Sequence, residues 1–194
     1  MAEPILRAIA LCACAWNPAF VCLLSMFAPF AAHTLGLSIQ EIGWAWAVYG
    51  AGALLAAFVA PFAMARIPTG VLFVVGPAGS MVGSLLIVAG GQAWGLPAIF
   101  AGFFLTGFTP MIWLVLQTSV RQLLTPQAYL GRVAATITTA IYGIRPLGAL
   151  AAGAAAYLWS PAAALWLAVA LFTLSTIAIA LSPAIGLRSM PTRA

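Results

Sequence analysis

Apolar residues fall into six long runs along the chain, at about 8–32, 42–65, 70–91, 96–118, 132–157 and 161–182. Short polar or Pro/Gly breaks separate them: His33 to Glu41, Arg66 to Thr69, Gly91 to Gly95, Ser119 to Gly131 and Trp159 to Pro161. A helix needs about 20 apolar residues to cross the hydrocarbon core of a bilayer. The pattern predicts an all-α membrane protein, with residues 1–194 forming one domain, a bundle of six transmembrane helices. The break before Pro161 is the tightest, so the last two spans should form a hairpin.

Charge orients the bundle. Arg7, Arg66, Arg121, Arg132, Arg188 and Arg193 lie at the N-terminus, the even-numbered turns and the C-terminus, whereas the breaks at 33–41, 91–95 and 158–161 carry no Arg. The positive-inside rule then places both termini in the cytoplasm. Trp44, Trp46 and Trp159, near the opposite surface, suit an interfacial aromatic belt. After Arg7 the first run continues to Ala32, beyond the roughly 7–15-residue core of a signal peptide. It is expected to remain as the first span.

Composition agrees with this reading and narrows it. The chain is 65% hydrophobic and 5% charged, against about 25% charged residues in soluble domains. It has no Lys and no Asp, and its seven Arg are scattered singly. Its net charge of +5 therefore does not point to nucleic acid. The three cysteines, Cys12, Cys14 and Cys22, all fall in the first span. Cys12 and Cys14 point to different sides of a helix, and one His cannot complete a zinc site with them. Buried, inert thiols are expected, with no metal and no cofactor.

Within the spans, Gly52, Ala56 and Ala60, Gly79 and Gly83, and Gly148, Ala152 and Ala156 recur four residues apart. That spacing lets helix backbones approach closely. Pro18, Pro29, Pro61, Pro77, Pro110 and Pro146 each remove a helical hydrogen bond. A bundle that bends is one reading; the ordinary abundance of Pro in membrane helices is the other. Between Ser119 and Gly131, Thr125-Pro126 reads as a helix start and Gly131 as a left-handed helix end. A short interfacial helix on the cytoplasmic face is expected there.

Arg145 lies about halfway along the fifth span, where a charge costs on the order of 2.5–3.5 kcal/mol on insertion scales. Glu3 and Glu41, the only acids, belong to the two ends of spans. Backbone carbonyls, cavity water, an acid from another bundle or an anionic substrate remain as its partners. Asn17 lies about 18 Å along the first span from Ile5, also near mid-depth. It is read either as lining a cavity or as repairing the helix beside Pro18. Trp16, Tyr49, Trp113 and Tyr142, with Thr106 and Thr109, offer an amphipathic, aromatic-lined pocket; ordinary packing is the plainer reading of each.

The run Arg121-Gln122, Thr125-Pro126, Leu130-Gly131-Arg132-Val133, Ala135-Thr136, then Pro146-Leu147-Gly148-Ala149 and Gly153 resembles the major facilitator superfamily. It is most similar to the enterobactin-exporter type of multidrug and siderophore efflux proteins. Ser182-Pro183 followed by Arg188 looks like that branch's ending, while Ala134 stands where the branch often has Asn. The resemblance covers the chain only as the second six-span half of such a transporter. It implies a bacterial cytoplasmic (inner) membrane and efflux of a small-molecule substrate, with the first and fourth spans lining a cavity. The second and fifth spans would face the other half. That half is either a six-span N-terminal bundle or a second copy in a parallel homodimer, since the halves are parallel repeats.

Two other classes stay open. One is a non-transporting, truncated fragment or interaction protein. The other is an intramembrane enzyme, which needs a nucleophile and a base at one depth. Ser80 and Ser84 lie within the third span, but His33 is at the outer end of the first. No enzyme activity is expected. With no carboxylate or His in the membrane core, proton coupling would fall to Glu41, His33 or a partner.

Overall fold

The computed structural model describes residues 2–190, with the side chains of Ala2 and Glu3 excepted. Arg193 lies outside the described residues. The helices are α1 (Ala2–Thr34), α2 (Ile39–Arg66), α3 (Thr69–Leu85), α4 (Gly91–Trp94), α5 (Leu96–Leu124), α6 (Leu130–Leu158) and α7 (Pro161–Ala180). There is no strand among the described residues. A π-helical turn at Leu86–Gly90 joins α3 to α4, so the two form one span. Six spans result: Pro4–Thr34, Ile39–Arg66, Thr69–Trp94, Leu96–Leu124, Gln127–Leu158 and Pro161–Ala180. The chain is an all-α, six-span bundle, with helices long and apolar enough for a multi-pass membrane protein.

The span boundaries follow from local chemistry. Ser38 and Glu41 form a capping box at the start of α2, with the Ser38 N–H donating to Glu41 Oε2 at 2.8 Å. Gly95, at φ +66°, makes the whole turn between the third and fourth spans. The break expected over Gly91–Gly95 is therefore one residue wide, because nothing before Gly95 prevents helical backbone. Ser160 caps α7, accepting from the Ala163 N–H at 3.2 Å, and α6 and α7 pack as the expected hairpin.

The connection at 119–131 differs from expectation. No separate interfacial helix forms. α5 continues to Leu124, and Thr125 is extended at φ −102°, ψ 124°, as a residue before Pro tends to be. One 3-10 turn, Gln127–Tyr129, then leads directly into α6. Thr125 is not an N-cap, and its hydroxyl is buried without a partner. Gly131 sits inside α6; positive φ among the described residues is confined to Gly36 and Gly95. Nothing after Leu130 breaks a helix, so the turn propagates and Gly131 is carried along.

The spans divide into two groups. α1 packs on α6 and α7, while α5 packs on α2 and α3, and the groups meet mainly where α3 touches α7. Between lipid-like surfaces, packing depends on close van der Waals approach at small residues. Gly107 meets the Tyr49 carbonyl, and a Cβ on Gly52 would stand 2.7 Å from the Phe104 oxygen, so α2 and α5 touch backbone to backbone. Gly79 and Gly83 likewise admit the side chains of Thr109 and Thr106 from α5. A Cβ on Gly148 would stand 2.6 Å from Pro18 Cα, which locks α6 against α1. α1 and α2 barely touch one another, nor do α1 and α5. That seam leaves room for a cavity.

Candidate functional site

Four helices face the seam, each with one side of its helical repeat. α1 presents Ala13, Trp16, Asn17 and Phe20, and α6 presents Thr138, Ile141, Tyr142 and Arg145. Both sets follow i, i+3, i+4, i+7 spacing, which puts them on a single helix face. α2 adds Tyr49 and Ala53, and α5 adds residues from Gly107 through Trp113 and Gln117 to Arg121. The cavity between them holds about 390 Å³ and is open on one side. Neither α3 nor α7 contributes to its walls; they form the back of the bundle.

An aromatic cluster fills the seam beyond Tyr49. Phe20 and Tyr49 rings stack at 5.7 Å, Trp46 meets Tyr49 at 5.7 Å and Phe103 at 4.9 Å, and Phe27 meets Phe103 at 4.5 Å. The cavity therefore runs from mid-bundle toward the end that carries Arg121. Along α5, from Gly107 to Arg121, that is about 21 Å at the helical rise.

Arg145 and Asn17 meet at its wall. Arg145 donates from Nε to Asn17 Oδ1 at 2.9 Å, and its guanidinium lies 4.6 Å from the centre of the Tyr142 ring. Asn17 in turn donates from Nδ2 to the Ala13 carbonyl at 2.9 Å. Asn17 lines the cavity and bonds back to Ala13, not to the Cys14 carbonyl that Pro18 leaves without its helical donor. The Pro18–Gly148 contact brings these two side chains into reach, one residue along α1 and three along α6. Cys22 adds a bond from Sγ to the Gly148 carbonyl at 3.2 Å on the same side.

Trp16, Tyr49, Trp113 and Tyr142 all line the cavity. Trp16 is fixed by donation from Nε1 to Ser80 Oγ at 2.9 Å. Trp113 packs its Cβ on Gly76, and its buried indole N–H has no partner. Thr106 and Thr109 lie elsewhere. Thr106 donates to Gly102 O at 2.7 Å, and Thr109 to Gly76 O and Leu105 O at 3.0 Å each, both at the α3–α5 contact. Their hydroxyls satisfy backbone carbonyls between two helices, so the cavity lacks them.

The residues from Arg121 to Gly153 do not form one site. Arg121 lines the cavity and Gly148 packs on Pro18. Gln122, Pro126, Gly131, Arg132 and Pro146 are exposed, and Gly153 is half-buried with open space beside it. Comparison with protein-family models, curated proteins and solved structures gives no match. The site must be read from its own chemistry.

Sequence reasoning missed Gln117, Thr118, Phe20 and Thr138. Gln117 had a signal: Trp113, Gln117 and Arg121 recur every four residues, a polar line along an otherwise apolar span. Among the described residues, no three His, Cys, Asp or Glu side chains come together. Cys12 is buried with its sulfur 3.2 Å from Ser175 Oγ, and all three thiols are free.

Proposed function

We propose that the chain is a transporter bundle of the major facilitator type, moving small amphipathic molecules through a cavity completed by a second six-span bundle. The Arg145–Asn17 bond at the wall of a mid-bundle cavity carries this reading. A charge placed there costs several kcal/mol unless the site is solvated or occupied, and intramembrane ionisable groups mark substrate pathways.

The exposed faces of two helices support this reading. α2 exposes Leu54, Phe58 and Phe62, and α6 buries only Gly148, Ala152 and Ala155 along its length. These two helices flank the cavity from either side, so a partner docked on both closes it. A second copy in the same orientation or a complementary six-span bundle meets that need, in a bacterial cytoplasmic membrane and as an exporter by resemblance. The chemistry is transfer without bond-making: Ser80 is engaged by Trp16 and Ser84 by the Met81 carbonyl, with His33 in the last turn of α1.

The test pairs assembly with transport. Native mass spectrometry of the complex extracted from its membrane should give twice the 20.0 kDa chain, or the chain with a second six-span protein. Cells carrying that complex should accumulate less of an amphipathic fluorescent dye, and Arg145→Ala should abolish the difference. A lone monomer with no effect on dye would overturn the reading.

A further inference from the structure

The cavity's charge is one-sided. Arg121 and Arg145 stand in its walls, and among the described residues no acidic side chain does. Glu41, the one acid among the described side chains, sits at the first turn of α2, accepting from the Ser38 N–H and hydroxyl at 2.8 Å each. It is therefore occupied and remote from the seam. Asn17 offers Arg145 a neutral oxygen, which holds the guanidinium in place through Nε and leaves its charge unbalanced. Among the described residues its terminal amines form no hydrogen bond, and their planar fork matches a carboxylate, sulfonate or phosphate.

Beside these cations the wall is aromatic. Trp16 and Phe20 stack at 5.1 Å with an 11° interplanar angle, Tyr49 follows, and Tyr142 lies under the guanidinium. A ligand that satisfies both has an anionic group and a flat apolar body. A second copy of the chain would not supply the missing negative charge: it would bring its own Arg121 and Arg145, doubling the positive field. Charge at low dielectric is weakly screened, so the ligand itself is the natural counter-ion.

We infer that the cavity selects aromatic organic anions, with Arg145 as the anion-binding residue and Arg121 as a second cation on the path toward the Arg-bearing end of the bundle. The inference rests on the transporter reading and specifies its substrate class. Amphipathic cations are excluded by the same field.

Two probes with one ring system separate charge from shape: 8-anilino-1-naphthalenesulfonate and the neutral N-phenyl-1-naphthylamine. The full chain is placed in nanodiscs with whatever co-extracts with it. Binding is read by energy transfer from tryptophan, with empty-nanodisc partitioning subtracted. The sulfonate should bind at least about tenfold tighter than the amine, the worth of one charge-assisted hydrogen bond. Arg145→Gln should remove that preference while the amine still binds, and Arg145→Lys should keep most of it. Should Arg145→Gln fail to assemble, Arg121→Gln should still weaken the sulfonate and spare the amine.

Equal binding of the two probes by the wild type, or a preference that survives Arg145→Gln, would overturn the charge inference and leave transport standing. Binding of neither probe would overturn both readings together.

Discussion

Asn17 Oδ1 accepts the Nε–H of Arg145 at 2.9 Å, a bond between the first and fifth spans made at mid-depth. It forms because Gly148 lets α6 close on Pro18, so helix packing and the polar contact depend on one another. Hydrogen bonds to charged groups contribute about 1.5–3 kcal/mol in soluble proteins. Interhelical bonds in membranes average nearer 0.6 kcal/mol, because the separated helices also find partners. The guanidinium borders a cavity, which favours the lower figure. A double-mutant cycle on Asn17→Ala and Arg145→Gln, read from thermal unfolding in detergent, should give a coupling of about 1 kcal/mol. Strict additivity would mean that the bond contributes nothing.

Glycines should sort by what lies over them. Gly107→Val must push Tyr49 backbone away from α5, and backbone cannot swing aside as a side chain can. The α2–α5 contact should open, with a loss of more than about 2 kcal/mol, the range for overpacking a tight interface. Gly131→Ala meets nothing within 4 Å and lies in right-handed helix. It should gain roughly 0.5–1 kcal/mol from the better helix former. Destabilisation by Gly131→Ala would restore the left-handed turn that sequence alone suggests there.

The architecture was legible because membrane spans announce themselves: length and apolar composition decide them. Which face each span turns inward was harder to read. In lipid both the buried and the exposed faces are apolar, so the amphipathic signal that marks a soluble helix is absent. Arg145 and Asn17 stood out because each is costly where it sits. Thr106 and Thr109 misled for the opposite reason: a Thr hydroxyl can bond its own helix one turn back, so its presence at mid-depth carries no direction. The end of α5 was misplaced because Thr125-Pro126 stops one helix as readily as it starts the next.

Cysteine accessibility would test those directions. With Cys12, Cys14 and Cys22 replaced by Ala, single cysteines at Thr118 and Thr138 should react with a charged methanethiosulfonate reagent, since both positions line the cavity. Cysteines at Thr106 and Thr109 should stay unreacted in the folded protein, packed against Gly83 and Gly79. Prior addition of 8-anilino-1-naphthalenesulfonate should slow labelling at Thr138 by several-fold. Rapid labelling at Thr106 would mean that the α3–α5 contact is open and that the hydroxyls belong to the cavity after all.

Asn17→Asp puts the charge balance to a direct test. The carboxylate would take the place of the amide oxygen within hydrogen-bond reach of Arg145, changing the described cavity walls from two cations and no acid to two cations and one acid. At neutral pH the melting temperature should rise relative to Asn17→Ala, while sulfonate binding should fall by about tenfold or more, as the guanidinium exchanges its ligand for an internal partner. Neutral-amine binding should hold. If Asn17→Asp left the sulfonate affinity unchanged, Arg145 would not be its binding partner, whatever its role in holding α1 to α6.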